Sequence, residues 1–140
     1  MNRYTRTVIN YLENAPDERW MAYTLNGASD RGYKVMDWML QQPQRMPDAA
    51  ALALYWILDP LDSFRDRKRT KEDAKTLEWR RRTILELQEN YLKGSYKVVS
   101  FGFEPRRSLN CDSYVTLYLT GHIAEIRRRH CYSATNVRGN

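Results

Sequence analysis

Hydrophobic residues recur at helical spacing through the first two thirds of the chain. Apolar positions three and four apart predict one buried face in each of four helices, within residues 3–14, 16–27, 29–42 and 70–93. The predicted buried positions are Tyr4, Val8, Tyr11 and Leu12, then Trp20, Met21, Thr24 and Leu25, then Val35, Met36, Met39 and Leu40, and finally Ala74, Leu77, Ile84, Leu87 and Tyr91.

Residues 48–58 differ from these four helices because they are apolar on every side apart from the charge of Asp48. A helix without a polar face must be surrounded by other elements. Pro47 and Asp48 suit its start, and Asp59 before Pro60 suits its end, because proline disfavours helical geometry in the preceding residue. The segment is shorter than the roughly 20 residues that span a bilayer. We therefore predict a core helix around which the others pack.

After Gly94 the hydrophobic pattern changes from helical spacing to alternation. Residues 97–103 and 113–119 alternate in the manner of strands, and residues 104–112 between them are typical of a loop. A two-stranded hairpin is marginal alone, so we expect it to pack on the helices. Residues 122–130 are predicted to add one or two final helical turns.

These patterns together predict a mostly α (α+β) fold. We expect a single domain over residues 1–140, with an orthogonal helical bundle in residues 1–94 and a strand-containing C-terminal part in residues 95–132 that carries the β-hairpin.

The net charge of +6 is unevenly distributed. Residues 1–62 carry 6 basic against 8 acidic side chains, whereas residues 63–140 carry 17 against 9. Such asymmetry favours an acidic partner, either a nucleic acid or an acidic protein surface. Two cysteines and the absence of a secretory or membrane-spanning pattern predict a cytoplasmic protein without membrane association.

The known short motifs of catalysis are missing from the sequence. It contains no G-x-S-x-G, Walker or H-E-x-x-H pattern. Cys111, His122, His130 and Cys131 have the atoms of a zinc site but not its usual spacing. We therefore expect no metal and no cofactor, and we expect a protein that is not an enzyme, with a small enzyme of unknown reaction as the second alternative.

Basic clusters and two tryptophans are the candidate partner-binding residues. Trp38 and Trp79 fall off the apolar faces of their helices, and exposed aromatic and arginine side chains are enriched at protein interfaces. Either tryptophan could instead lie under the hairpin. The candidate set is Trp38, Arg65, Arg67, Lys68, Arg69, Trp79, Arg80, Arg81 and Arg82. The same arginines could bind nucleic-acid phosphates, which is the first alternative.

Part of the chain resembles a family of small bacterial proteins of unknown function. The resemblance rests on Trp20-Met-Ala-Tyr-Thr-Leu-Asn-Gly27, on Gly32-Tyr-Lys-Val-Met-Asp-Trp-Met-Leu40, and on Asp48 followed by Ala51-Leu52 and Tyr55-Trp56. It covers roughly residues 18–60, and Gly27-Ala28 stand where the family pattern has Trp-Asp. The resemblance implies an immunity partner of a secreted toxin. Together with the absent catalytic motifs, it predicts a cytoplasmic protein-binding module that neutralises a cognate bacterial toxin.

Overall fold

The computed structural model describes residues 2–27, 33–65, 74–103 and 130–132. In these residues the chain is mostly helical, as predicted. The elements in chain order are α1 (Arg3–Glu13), α2 (Asp17–Gly27), α3 (Tyr33–Leu40), α4 (Asp48–Leu58), α5 (Pro60–Ser63), α6 (Ala74–Leu92), β1 (Phe101–Phe103) and β2 (His130–Tyr132).

Helix α4 forms the centre of the molecule, as its composition predicted. Its residues are buried except Trp56 and Ile57, which are half-buried. It packs against α2, α5, α6 and β1, while α1 packs on α3 and α5 packs on α6. Because alanines supply much of its surface, the backbones of its neighbours can come close to it.

Backbone hydrogen bonds join the residues at the start of α4 to the segment that follows α6. The N–H of Lys97 donates to the carbonyl of Met46 over 2.9 Å, and the N–H of Asp48 donates to the carbonyl of Lys97 over 2.8 Å. The Lys97 ammonium also lies 2.9 Å from a carboxylate oxygen of Asp17. Lys97 therefore ties the chain after α6 to the starts of α4 and α2.

The predicted buried face is correct for α2 and α3 but only in part for α1, where Leu12 is buried and Val8 is half-buried as predicted. In α1 the buried residues are Thr5, Ile9 and Leu12. Tyr4 and Tyr11 are exposed, although the sequence predicted them to be buried. The observed buried face is shifted by one residue from the predicted one. Packing of α1 against α3 determines which face is buried.

The buried face of α6 agrees with the prediction in its C-terminal half and differs from it in its N-terminal half. Ile84, Leu87 and Tyr91 are buried as expected, but Ala74 is exposed and Leu77 is half-buried. Trp79 and Thr83 occupy the buried positions of the first turns instead.

The strand predicted over residues 97–103 forms only in its last three residues, as β1. Its partner among the described residues is β2, which runs parallel to it with Gly102 opposite Cys131. The second predicted hairpin strand, residues 113–119, lies outside the described residues, as do residues 122–129 of the predicted final helical turns. His130 belongs to β2 and not to those turns.

Candidate protein-interaction site

The turn between α4 and α5 places an aromatic side chain at the surface. Asp59 ends α4 with a left-handed backbone (φ 49°), and its carboxylate accepts a hydrogen bond from the N–H of Asp62 over 3.3 Å. This cap begins α5, which lasts one turn and ends at Ser63. Phe64 follows directly and is 46% exposed.

Arg81 of α6 fixes the backbone on both sides of Phe64. Its Nε donates to the carbonyl of Ser63 over 2.7 Å, and its Nη2 lies 3.4 Å from the carbonyl of Arg65. The guanidinium carbon is 5.8 Å from the centre of the Phe64 ring. Hydrogen bonds from a charged donor are stronger than neutral ones, so α5 and the residue after it are held against α6.

We call Phe64, Arg65 and Arg81 the Phe64 corner. The Arg65 side chain is 69% exposed, and its guanidinium lies 3.9 Å from the Asp62 carboxylate. Aromatic and arginine side chains are enriched at protein interfaces relative to the rest of the surface. The corner can therefore bury a ring against a partner while the arginines meet acidic groups around it.

The run of three arginines in α6 does not act as one cluster. Arg81 lies at the Phe64 corner, Arg80 is half-buried with contacts of its own, and Arg82 is exposed on the outer face of the helix. The helical rotation of 100° per residue separates them. Arg67, Lys68 and Arg69 lie outside the described residues.

Trp79 is not a surface residue, so the prediction of an exposed tryptophan there is wrong. It is 7% exposed, and its indole N–H donates to a carboxylate oxygen of Asp37 over 2.6 Å. The rings of Trp79 and Tyr33 pack edge to face, with their centroids 5.1 Å apart. The indole joins α6 to α3 and is not available to a partner.

Trp38 is half-buried. The sequence left it open whether this ring is exposed to a partner or lies under the hairpin, and the observed burial is between the two. Its ring lies 5.3 Å from the ring of Trp20, which is buried. The guanidinium carbon of Arg45 lies over the Trp20 ring, 4.9 Å from its centroid. Trp38 therefore completes the core surface of α3 and shows only part of its ring.

An open cleft of about 490 Å³ lies at the start of α2, on the side of Arg45 and Lys97. Three of its four charged side chains, Asp17, Arg45 and Lys97, are engaged within the protein, and the fourth is Glu18. Lys97 pairs with Asp17, and Nη2 of Arg45 donates to the carbonyl of Leu12 over 2.9 Å. These contacts join α1, α2 and the residues on either side of the cleft.

Three titratable groups have pKa values that packing displaces. Burial raises the pKa of the Tyr23 and Tyr96 phenols, and the Tyr4 hydroxyl adds to the shift at Tyr23. Burial, with the Asp37 carboxylate as the second cause, raises the pKa of Glu86. Each shift follows from contact between neighbouring elements.

The described part of the chain contains no metal-binding group and no membrane-spanning helix. No three His, Cys, Asp or Glu side chains there are placed to hold a metal ion. No helix in the same ranges is both long and apolar enough to cross a bilayer. Cys111 and His122 of the zinc alternative fall outside these ranges.

Sequence reasoning did not single out Phe64 as a candidate. The available signal was its isolation, since it is the one large apolar residue in the polar stretch from residue 62 to 73. Its exposure depends on the length of α5 and on Arg81, which is 17 positions later in the chain.

Comparisons with family models, with curated proteins and with solved structures found no match to this chain, so the resemblance to small bacterial proteins stays a prediction.

Proposed function

We propose that this chain is a protein-binding module that docks an acidic surface of its partner on the Phe64 corner. In its most concrete form it is a cytoplasmic immunity protein that binds a bacterial toxin effector and neutralises it by covering the active site or substrate surface. The observation that carries the proposal is the Phe64 ring, which is 46% exposed and lies beside the half-buried guanidinium of Arg81.

Preorganisation is the physical reason for choosing this surface. Binding immobilises side chains, which costs about 0.5–1.5 kcal/mol for each flexible one. Because Arg81 already fixes the backbone at Ser63 and Arg65, less of this cost remains when Phe64 enters a partner's pocket. The exposed ring of Tyr11 has no such support among the contacts described.

The contacts of the arginines favour a protein partner over a nucleic acid. Phosphate binding uses several N–H donors of a guanidinium at once. Two donors of Arg81 are directed at backbone carbonyls, and Arg65 is near the Asp62 carboxylate. A protein partner can also bury the exposed Phe64 ring in an apolar pocket, which a phosphate backbone does not offer.

The test is co-production of the chain with the product of the gene next to its own. We expect the neighbouring product to inhibit growth, co-production to restore it, and the two purified proteins to form a complex in size-exclusion chromatography. Phe64→Ala should weaken the complex at least about tenfold, equal to about 1.4 kcal/mol. Tyr11→Ala is the matched control because Tyr11 is also exposed, at 57%, but lies in α1.

Two results would overturn the proposal. One is the absence of both protection and complex. The other is tight binding to nonspecific nucleic acid at low salt that weakens steeply as salt is raised, since that dependence is typical of phosphate contacts. Circular dichroism of each variant separates lost binding from lost folding.

A further inference from the structure

The outer face of α6 carries charges and leucines in a regular order. Its exposed residues at successive turns are Glu78, Arg82, Leu85, Glu89 and Lys93, with Leu92 beside the last. Steps of three and four residues place them on one side of a helix. We call these residues the outer stripe.

The leucines of the outer stripe expose an unusual amount of apolar surface. Leu85 is 56% exposed and Leu92 is 58% exposed. Single exposed leucines are ordinary, but these two are seven positions apart and lie on the same side of α6. A helix packed along the stripe would bury both of them.

The charges along the outer stripe are complementary to their own reverse order. From the N-terminal end they run negative, positive, negative, positive, at positions 78, 82, 89 and 93. Reading the helix backwards gives the opposite sign at every position. An antiparallel copy of α6 would therefore meet an opposite charge at each of the four.

We propose that the outer stripe is a self-association surface on which α6 of a second copy packs antiparallel, with the two-fold axis between residues 85 and 86. Glu78 then lies opposite Lys93 of the second copy, and Arg82 lies opposite Glu89. Leu85 meets its own copy at the axis, which is the isologous arrangement of a two-fold dimer.

Other occupants match the charge order less well. A parallel copy in register brings each charge against its like. A uniformly acidic partner meets Glu78 and Glu89, and a uniformly basic one meets Arg82 and Lys93. The antiparallel copy avoids all of these repulsions.

Residues near the stripe define its limits. Glu86 is also exposed and borders the stripe on the side of α3, since the Asp37 carboxylate on one side and Arg82 and Glu89 on the other all affect its pKa. Arg81 lies on the opposite flank at the Phe64 corner. Because Arg81 is four positions before Leu85, the Phe64 corner borders the outer stripe. The two proposals use different residues, and the inference does not depend on the proposed function.

The ion pairs within the helix do not remove the complementarity. Lys93 lies 2.7 Å from Glu89, and both side chains remain more than half exposed. This pair also lowers the pKa of Glu89, so its carboxylate is charged at neutral pH. Exposed pairs of this kind rearrange at small cost, so both side chains can turn towards a second copy.

The experiment is sedimentation velocity of the purified chain from low micromolar to several hundred micromolar concentration. Because the apolar part of the stripe is small, we expect a weak, concentration-dependent dimer. Arg82→Glu and Glu89→Arg should each weaken it more than about tenfold, since each puts like charges together. The double variant Arg82→Glu/Glu89→Arg should restore association close to the wild-type value, because the pair is regenerated with reversed signs.

Arg19→Glu is the matched control, since Arg19 is an exposed arginine in α2 and away from the stripe. It should leave the dimer unchanged. Circular dichroism confirms that the variants fold, and Leu85→Ser gives an uncharged second test of the same surface. A chain that stays monomeric at every concentration overturns the inference. So does a double variant that associates no better than the single ones.

Discussion

One hydrogen bond joins α6, the longest helix among the described residues, to α3. The indole N–H of Trp79 donates to the carboxylate of Asp37 at 2.6 Å, and the ring is buried beside Tyr33. A bond to a charged acceptor contributes roughly 1.5–3 kcal/mol. The residue thus combines apolar burial with a directional contact that only a tryptophan can make here.

Replacing Trp79 by phenylalanine should lower the free energy of unfolding by about 1.5–3 kcal/mol, because the ring volume is partly kept while the N–H donor is lost. Urea unfolding at neutral pH measures the change. Asp37→Asn keeps an acceptor and should cost less than Trp79→Phe. An equal or larger loss in Asp37→Asn would show that the carboxylate has other partners of greater weight.

The sequence could not reveal this bond. Trp79 lies off the stripe of Ala74, Leu77 and Ile84, and this position predicted an exposed ring. The two bonded residues are 42 positions apart. Periodicity reports which residues share a face of one helix, but not which polar group a neighbouring helix brings to that face.

The ends of the helices show how local chemistry limits each element. After α6, Gly94 has φ 69°, its N–H donates to the carbonyl of Tyr91, and the N–H of Ser95 donates to that of Asn90. This pair of bonds is a Schellman motif, in which glycine takes the left-handed backbone without steric cost. The helix predicted within residues 70–93 therefore ends at the glycine that follows it.

Asp59 has a double role at the junction of α4 and α5. It is a non-glycine residue with positive φ, and its side chain caps α5. Asp59→Ala should lower the free energy of unfolding by about 1 kcal/mol, since the cap is lost. Asp59→Asn should be nearly neutral, because asparagine caps well and tolerates a left-handed backbone.

Thermal unfolding followed by circular dichroism measures the effect of both Asp59 variants. If the asparagine variant is as unstable as the alanine variant, the charge of Asp59 and not its cap stabilises the junction. Loss of the cap in Asp59→Ala should also make α5 and the Phe64 corner less rigid. We therefore expect this variant to bind the partner more weakly than the wild-type protein.

At the scale of the whole molecule, the core is arranged around the alanines of α4. Ala49, Ala50, Ala51 and Ala53 are fully buried. Interiors are packed as densely as organic crystals, so there is little space for a larger side chain at such positions. The distances between α4 and its neighbours therefore depend on these alanines remaining small.

Ala53→Leu should lower the free energy of unfolding by about 1–3 kcal/mol, because the added carbons must displace packed neighbours. Ala74→Leu makes the same change at an exposed position in α6, where the effect should be within about 0.5 kcal/mol. Urea unfolding of both variants compares them. Equal effects would mean that α4 is not enclosed on all sides.

The sequence by itself determined the helical class, the central position of α4 and the buried faces of α2 and α3, because these follow from local periodicity and composition. It also placed Arg65 and Arg81 among the candidate residues. Tertiary structure alone decided the one-residue shift of the buried face in α1, the burial of Trp79 and the joining of Phe64 to Arg81. Each of these depends on a contact between residues distant in the chain, and the amphipathic pattern of a single helix carries no information about such a contact.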